Sequence, residues 1–179
     1  MKRPETVLNE LFHENDVWLD AETKVYEAPA DHSDELRLWL RLLTCTTLME
    51  TEIRRRLRDS FDTTLPRFDL LAQLEKSENG LVLGDLSRRM MVSAGNLTAL
   101  VERMVASGHV SRTPLPSDRR VQIIALTEFG RNEFRKMADE HAEWISELFG
   151  SMSAEECSDL TKRLGVLKKS ILSSLVDRR

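Results

Sequence analysis

Residues 81–126 read LVLGDLSRRMMVSAGNLTALVERMVASGHVSRTPLPSDRRVQIIAL, and the punctuation of this stretch decides the fold. The spacing predicts a short helix from Gly84 to Met90, with Asp85 in its first turn, where a carboxylate suits the helix dipole. Ser93 is an N-cap residue type, and a longer helix starts at Ala94. Leu97, Leu100, Val101, Met104 and Val105 recur at three- and four-residue steps and form one apolar face. Ser107-Gly108 ends that helix, because glycine adopts the left-handed conformation cheaply. Val110 to Arg112 then reads as a strand and Val121 to Leu126 as its return, with Pro114, Pro116, Ser117, Asp118, Arg119 and Arg120 at the tip. Leu81-Val82-Leu83 can add a short third strand.

Two helices joined by a tight turn form a helix-turn-helix, and a helix fits the major groove of B-DNA. The second helix opens with small or polar residues: Ser93, Ala94, Gly95, Asn96, Thr98 and Ala99. Bulky apolar groups there would hold the helix out of the groove. Asn bonds adenine bidentately, and Thr or Ala touches a thymine methyl. The DNA-facing set therefore reads Ser93, Ala94, Asn96, Thr98, Ala99 and Arg103, with Arg88 and Arg89 at the backbone. Arg112, Asp118, Arg119 and Arg120 complete it from the hairpin, where arginines enter a minor groove or hold phosphates and Asp118 pairs with one of them to brace the tip.

Outward from this stretch the chain is mainly helical. Thr64-Leu65-Pro66 begins a helix, with Pro66 in the first turn, where its missing N–H costs little. Residues 33–60 form a long helix capped by Ser33, with Asp34 and Glu35 in its first turn. Leu36, Leu40, Leu43 and Thr47 lie on one side of it, and Leu38, Leu42, Cys45, Met49 and Ile53 on another. Such a helix must be buried twice, once against its own domain and once against a partner. Its Arg54-Arg55-Arg56 and Arg58 end suits the dipole. Thr127 caps a further helix that runs through Phe134, Met137, Ala138, His141, Trp144, Ile145 and Leu148 until Gly150 ends it. Ser153 and Glu156 fit a capping box for the last helix, whose spine is Leu160, Leu164, Leu167, Ile171 and Leu175. That spine has little of its own domain left to cover.

Three segments follow: an acidic extension over 1–32, a helical dimerisation region over 33–62 and 127–179, and a DNA-binding domain over 63–126. The formal charge is −4 and unevenly spread. Residues 66–126 hold eight Lys/Arg against six Asp/Glu, whereas residues 1–35 hold three against ten. The extension reads as a solvated segment with a short amphipathic helix at Val7, Leu8, Leu11 and Phe12. No apolar run is long enough to span a bilayer and no secretory signal is visible, so a cytoplasmic protein without a membrane partner is expected. Cys45 and Cys157 are too few for a disulfide framework or a zinc site. His13, His32, His109 and His141 lie far apart, Gly80 and Gly84 lack the lysine of a phosphate loop, and no nucleophile elbow exists. Neither an enzyme nor a cofactor is expected.

The words LSRRMMVSAGNLTALVERMVASGHVSR, then SDRR, then ALTEFG leading into a long helix, resemble the MarR family of bacterial transcriptional regulators across roughly residues 33–175. The family often has Thr before the first short helix, and Val82 stands there instead. The resemblance implies a winged helix-turn-helix plus terminal dimerisation helices, mainly α with a small β-hairpin wing. It implies a homodimer that binds double-stranded DNA at an inverted repeat and acts as a repressor released by a small-molecule effector. Two-fold symmetry reaches the same dimer independently, since it sets two reading helices about one DNA turn apart.

The combination LWLRLLTCTTLMETEIRRRLR, TTLPRFDLLAQLEKS and GDLSRRMMVSAGNLTALVERM is similar to a narrower group that controls aromatic-acid breakdown. The effector expected on that resemblance is an aromatic carboxylate or an aryl-CoA thioester. Trp39, Leu43, Thr47, Phe68 and Trp144 would line an apolar slot, with Arg37, Arg41 or Arg54 holding anionic groups. Two alternatives stand beside it. One is a thiol-based redox-sensing repressor, although Cys45 at an apolar helix position reads as a buried, inert thiol. The other is a dimeric interaction protein that does not read DNA; the small, polar surface at Ala94–Ala99 favours a reader.

Overall fold

The computed structural model describes residues 34–115 and 117–176. The acidic extension, the helix expected at Val7–Phe12 and the Ser33 cap lie outside the described residues. By internal contacts the chain divides into two compact units, Met1–Glu52 and Ile53–Arg179. The elements in order are α1 (Asp34–Phe61), α2 (Leu65–Glu75), β1 (Leu81–Val82), α3 (Leu83–Met90), α4 (Ala94–Ala106), β2 (Val110–Leu115), β3 (Asp118–Leu126), α5 (Glu128–Leu148) and α6 (Ala154–Val176).

The second unit holds the core. Leu57 from α1, Leu70, Leu71 and Leu74 from α2, Leu86 from α3, Leu97 and Val101 from α4, and Ile124 from β3 are its most enclosed side chains. They come from five elements at once, so truncating one of the leucines to alanine opens a cavity costing about 2–5 kcal/mol. The capping chemistry matches the predicted starts. Ser93 accepts the Asn96 N–H at 3.4 Å, and Thr127 accepts that of Gly130 at 2.9 Å. The capping box is complete: Glu156 N–H donates to Ser153 Oγ at 3.2 Å, and Ser153 N–H donates to Glu156 Oε2 at 2.7 Å. Hydrogen bonding from Ser153, its backbone N–H first and then its side chain, holds the Glu156 carboxyl below its ordinary value. Val82 gives α3 no side-chain cap.

The sheet is antiparallel in the order β1-β3-β2. Its strands run further than the sequence reading. Pro114 pairs with Gln122 inside β2, and Asp118 to Arg120 belong to β3, so the tip is shorter than expected. Proline is tolerated because β2 is an edge strand, whose missing N–H removes no ladder bond. The register slips between Pro114 and Leu115, beside the turn. Leu83 starts α3 instead of extending β1.

Burial separates the remaining helices. α5 buries Gly130, Phe134, Met137 and Trp144. α6 buries nothing along 23 residues, and its expected spine is open at Leu160, Leu164, Ile171 and Leu175. In the first unit, Leu36, Leu38, Trp39, Leu43 and Leu48 are likewise exposed. Cys45 is exposed too, which corrects the expectation of a buried thiol. The reason is that the apolar positions around it on α1 are themselves uncovered in the single chain.

Candidate nucleic-acid interface

α4 is two-faced, and its burial pattern says why. Leu97, Leu100, Val101 and Met104 are buried, which turns Ser93, Ala94, Gly95, Asn96, Ala99 and Arg103 to solvent. Thr98 is half-buried, and its hydroxyl donates to the Ala94 carbonyl at 2.8 Å, so its methyl is what remains to offer a base. The approach is set by the turn before it. Met91 adopts the left-handed conformation with φ 55°, which costs a non-glycine residue about 1–2 kcal/mol. Ser87 offsets this by donating its hydroxyl to the Val92 carbonyl at 2.7 Å, tying α3 to the start of α4. Sequence reasoning missed Ser87; its only signal was a lone hydroxyl on an otherwise charged turn of α3.

α3 carries exposed Arg88 and Arg89, and Arg88 is ion-paired with Asp85 on its own helix. In the wing, Asp118 accepts the backbone N–H of Arg120 at 3.0 Å. This corrects the expected pairing of Asp118 with an arginine side chain: the carboxylate is two residues from the amide, and it closes the turn there. Gln122, also missed, donates to the Arg119 carbonyl at 3.1 Å. The guanidinium groups of Arg119 and Arg120 therefore stay exposed, and neither pairs with an acid among the described residues. Arg112 on β2 and Arg120 on β3 line one cleft of about 370 Å³ with Val82, Leu83, Gly84, Val121 and Gln122. The arrangement offers a small, polar helix end flanked by exposed cations, which is chemistry for base edges and phosphates.

The residues expected to line an effector slot are divided between the units. In the first, Arg37 pairs with Asp34 at 3.7 Å, Trp39 and Leu43 are exposed with Arg41, and the Thr47 hydroxyl donates to the Leu43 carbonyl at 2.8 Å. In the second, Arg54 is exposed, while Phe68 and Trp144 are buried and flank the His141 ring at 4.8 and 6.5 Å. Burial holds the His141 imidazole below its ordinary value. Arg56, not singled out for this slot, lies over the Trp144 ring at 5.9 Å and pairs with Glu147.

Comparison with known proteins agrees with this geometry. A MarR family model matches residues 61–121. The transcriptional activatory protein BadR of Rhodopseudomonas palustris is 32% identical over 145 residues, spanning 78% of this chain and 81% of that one. The chain belongs to the MarR family. Among solved structures, AbsC, a MarR family transcriptional regulator from Streptomyces coelicolor, superposes with a TM-score of 0.71 at 26% identity, over 79% of this chain and 97% of that one. Sco3205 from the same organism, crystallised in complex with DNA, shares the fold with a TM-score of 0.70 at 23% identity, over 78% and 92%. As a MarR family member the chain is a DNA-binding transcriptional regulator, not an enzyme. Among the described residues, no helix is long and apolar enough to cross a membrane.

Proposed function

We propose that this MarR family protein is a cytoplasmic homodimer that reads an inverted-repeat operator and releases it when a small aromatic effector binds. The observation that carries the dimer is α6, which buries no residue of its own chain yet exposes Leu160, Leu164, Ile171 and Leu175. A helix with an uncovered apolar stripe needs a second surface, and an isologous partner supplies one with no further component. The exposed starts of two α4 helices then meet successive major grooves.

The effector is an aromatic carboxylate or an aryl-CoA thioester. The support is chemical: within the first unit, exposed Trp39 and Leu43 offer an apolar wall, and Arg37 or Arg41 offers a cation for an anionic group. The effector shifts the heads away from operator spacing only by the difference in its affinity for the two states. Isothermal titration with free aromatic acids and with their CoA esters tests this, and silence from both series ends the effector assignment. Repression is the sign proposed. BadR, a transcriptional activatory protein, supports the opposite sign as a second reading. Transcription in vitro from the chain's own upstream region, with and without protein, separates the two.

A further inference from the structure

The reading helix meets the next long helix at one short junction built around two backbone carbonyls. α4 ends in a turn where Gly108 N–H donates to the Val105 carbonyl and His109 N–H to that of Met104, each at 3.0 Å. The carbonyls of Gly108 and His109 are then taken by Thr127. Its backbone N–H donates to His109 O at 3.1 Å, and its hydroxyl donates to Gly108 O at 2.7 Å, with His109 O also 3.1 Å away. The same hydroxyl oxygen accepts the Gly130 N–H that starts α5. Gly130 is present because nothing larger fits: a Cβ there would lie 1.9 Å from His109 O. His109 is steadied on its other side, with Nδ1 2.8 Å from Ser107 Oγ and its ring edge-on to Phe129 at 4.9 Å.

We propose that Thr127 is a positioning residue for DNA reading, fixing the angle of α4 against α5 through the Gly108 carbonyl. Capping α5 requires only that the hydroxyl accept the Gly130 N–H; donating its proton backwards to Gly108 is a separate bond with a separate consequence. α4 has 13 residues, so its reading end lies about 20 Å from the junction. A tilt of about 5° there moves Ser93 by about 1.7 Å and Asn96 by about 1.3 Å, beyond the tolerance of hydrogen bonds to base edges. The other side of the junction is firm, because α5 continues into buried Phe134, Met137 and Trp144.

The inference rests on the DNA-reading function proposed above, and the test keeps the two apart. The probe is a duplex bearing the inverted repeat that the wild-type full-length protein selects from a random library. Failure to select any sequence sinks the functional reading itself. Given a selected duplex, Thr127→Val should bind it about tenfold more weakly per folded dimer, with a shallower dependence of affinity on salt as phosphate contacts are lost. Thr127→Ser should restore both. Ser153→Ala, which removes a cap of the same kind from α6, should leave affinity and salt slope unchanged. If Thr127→Val does not fold, Thr127→Asn caps the helix as well but places its donor elsewhere, and the same losses are expected of it. Wild-type affinity and slope in the folded Thr127 variant would overturn the proposal, even if its Tm falls.

Discussion

Replacing Ile171 and Leu175 on α6 by alanine tests the dimer on which the proposed function stands. In the single chain Ile171 is 50% and Leu175 58% exposed, so about half of each side chain is still to be covered. Each change to alanine deletes three carbons, worth about 0.8 kcal/mol apiece when fully buried. Half of that is about 1.2 kcal/mol for each side chain. Two-fold symmetry presents every change twice, which makes about 2.4 kcal/mol per position and about 5 kcal/mol for the pair. At 1.4 kcal/mol per decade, the dimer should dissociate more than a thousandfold more readily. Neither residue supports the monomer core, so circular dichroism and the fold of the second unit should hardly change. Sedimentation velocity across a dilution series reads the constant directly. An unchanged dissociation constant in the double variant would show that α6 is covered by something other than a second copy, and the symmetric operator would fall with it.

Three further outcomes are expected. Asn96→Ala should erase the preference for adenine at one position in each half-site, a loss of about 1–3 kcal/mol per half-site, and an unaltered base preference in a binding selection refutes the contact. Arg119→Ala and Arg120→Ala should each flatten the salt dependence of DNA binding by about 1–2 in the logarithmic slope for a dimer, with sedimentation unchanged; tight binding by both variants removes the wing from the interface. Because burial holds His141 below its ordinary value of 6.5, the unfolded chain takes up the proton first. The stabilisation from its neutral ring is present above pH 6.5 and is lost as pH falls through that value towards the depressed folded one. Tm should therefore fall less between pH 8 and about pH 5.5 in His141→Gln than in the wild type, and parallel curves would contradict the burial argument.

The helices were legible because their signals are local. Ser93, Thr127 and the Ser153 and Glu156 pair each announce a start within three residues, and the apolar steps from Leu97 to Met104 name the buried face. The wing was legible in kind but not in extent. Pro114 argues locally against a strand, and only the edge position of β2 makes it acceptable. Ser87 and Gln122 were missed because each bonds a backbone carbonyl, which leaves no trace in a pattern of side-chain types. Asp118 was misread for the same reason: composition shows an acid beside two arginines, whereas the turn brings an amide nearer than either guanidinium. Cys45 failed on the assumption that apolar spacing implies burial within one chain.

That last failure and the open face of α6 have one physical origin. A sequence pattern reports the surface buried in the working assembly, while a single chain shows only what one copy can cover. Within the second unit the two agree, since Leu57, Leu70, Leu97 and Ile124 are apolar by pattern and enclosed in fact. Along α1 and α6 they disagree at Leu38, Leu43, Leu164 and Leu175, and in the proposed dimer these are the positions a second copy would cover. The same contrast runs the other way on α4, where Ala94, Asn96 and Ala99 are small and exposed in a helix that could have buried larger groups. Apolar and open on α1 and α6, small and open on α4: the two kinds of exposed surface differ in chemistry, and the proposed function gives them different partners, a second copy for the first and a DNA groove for the second.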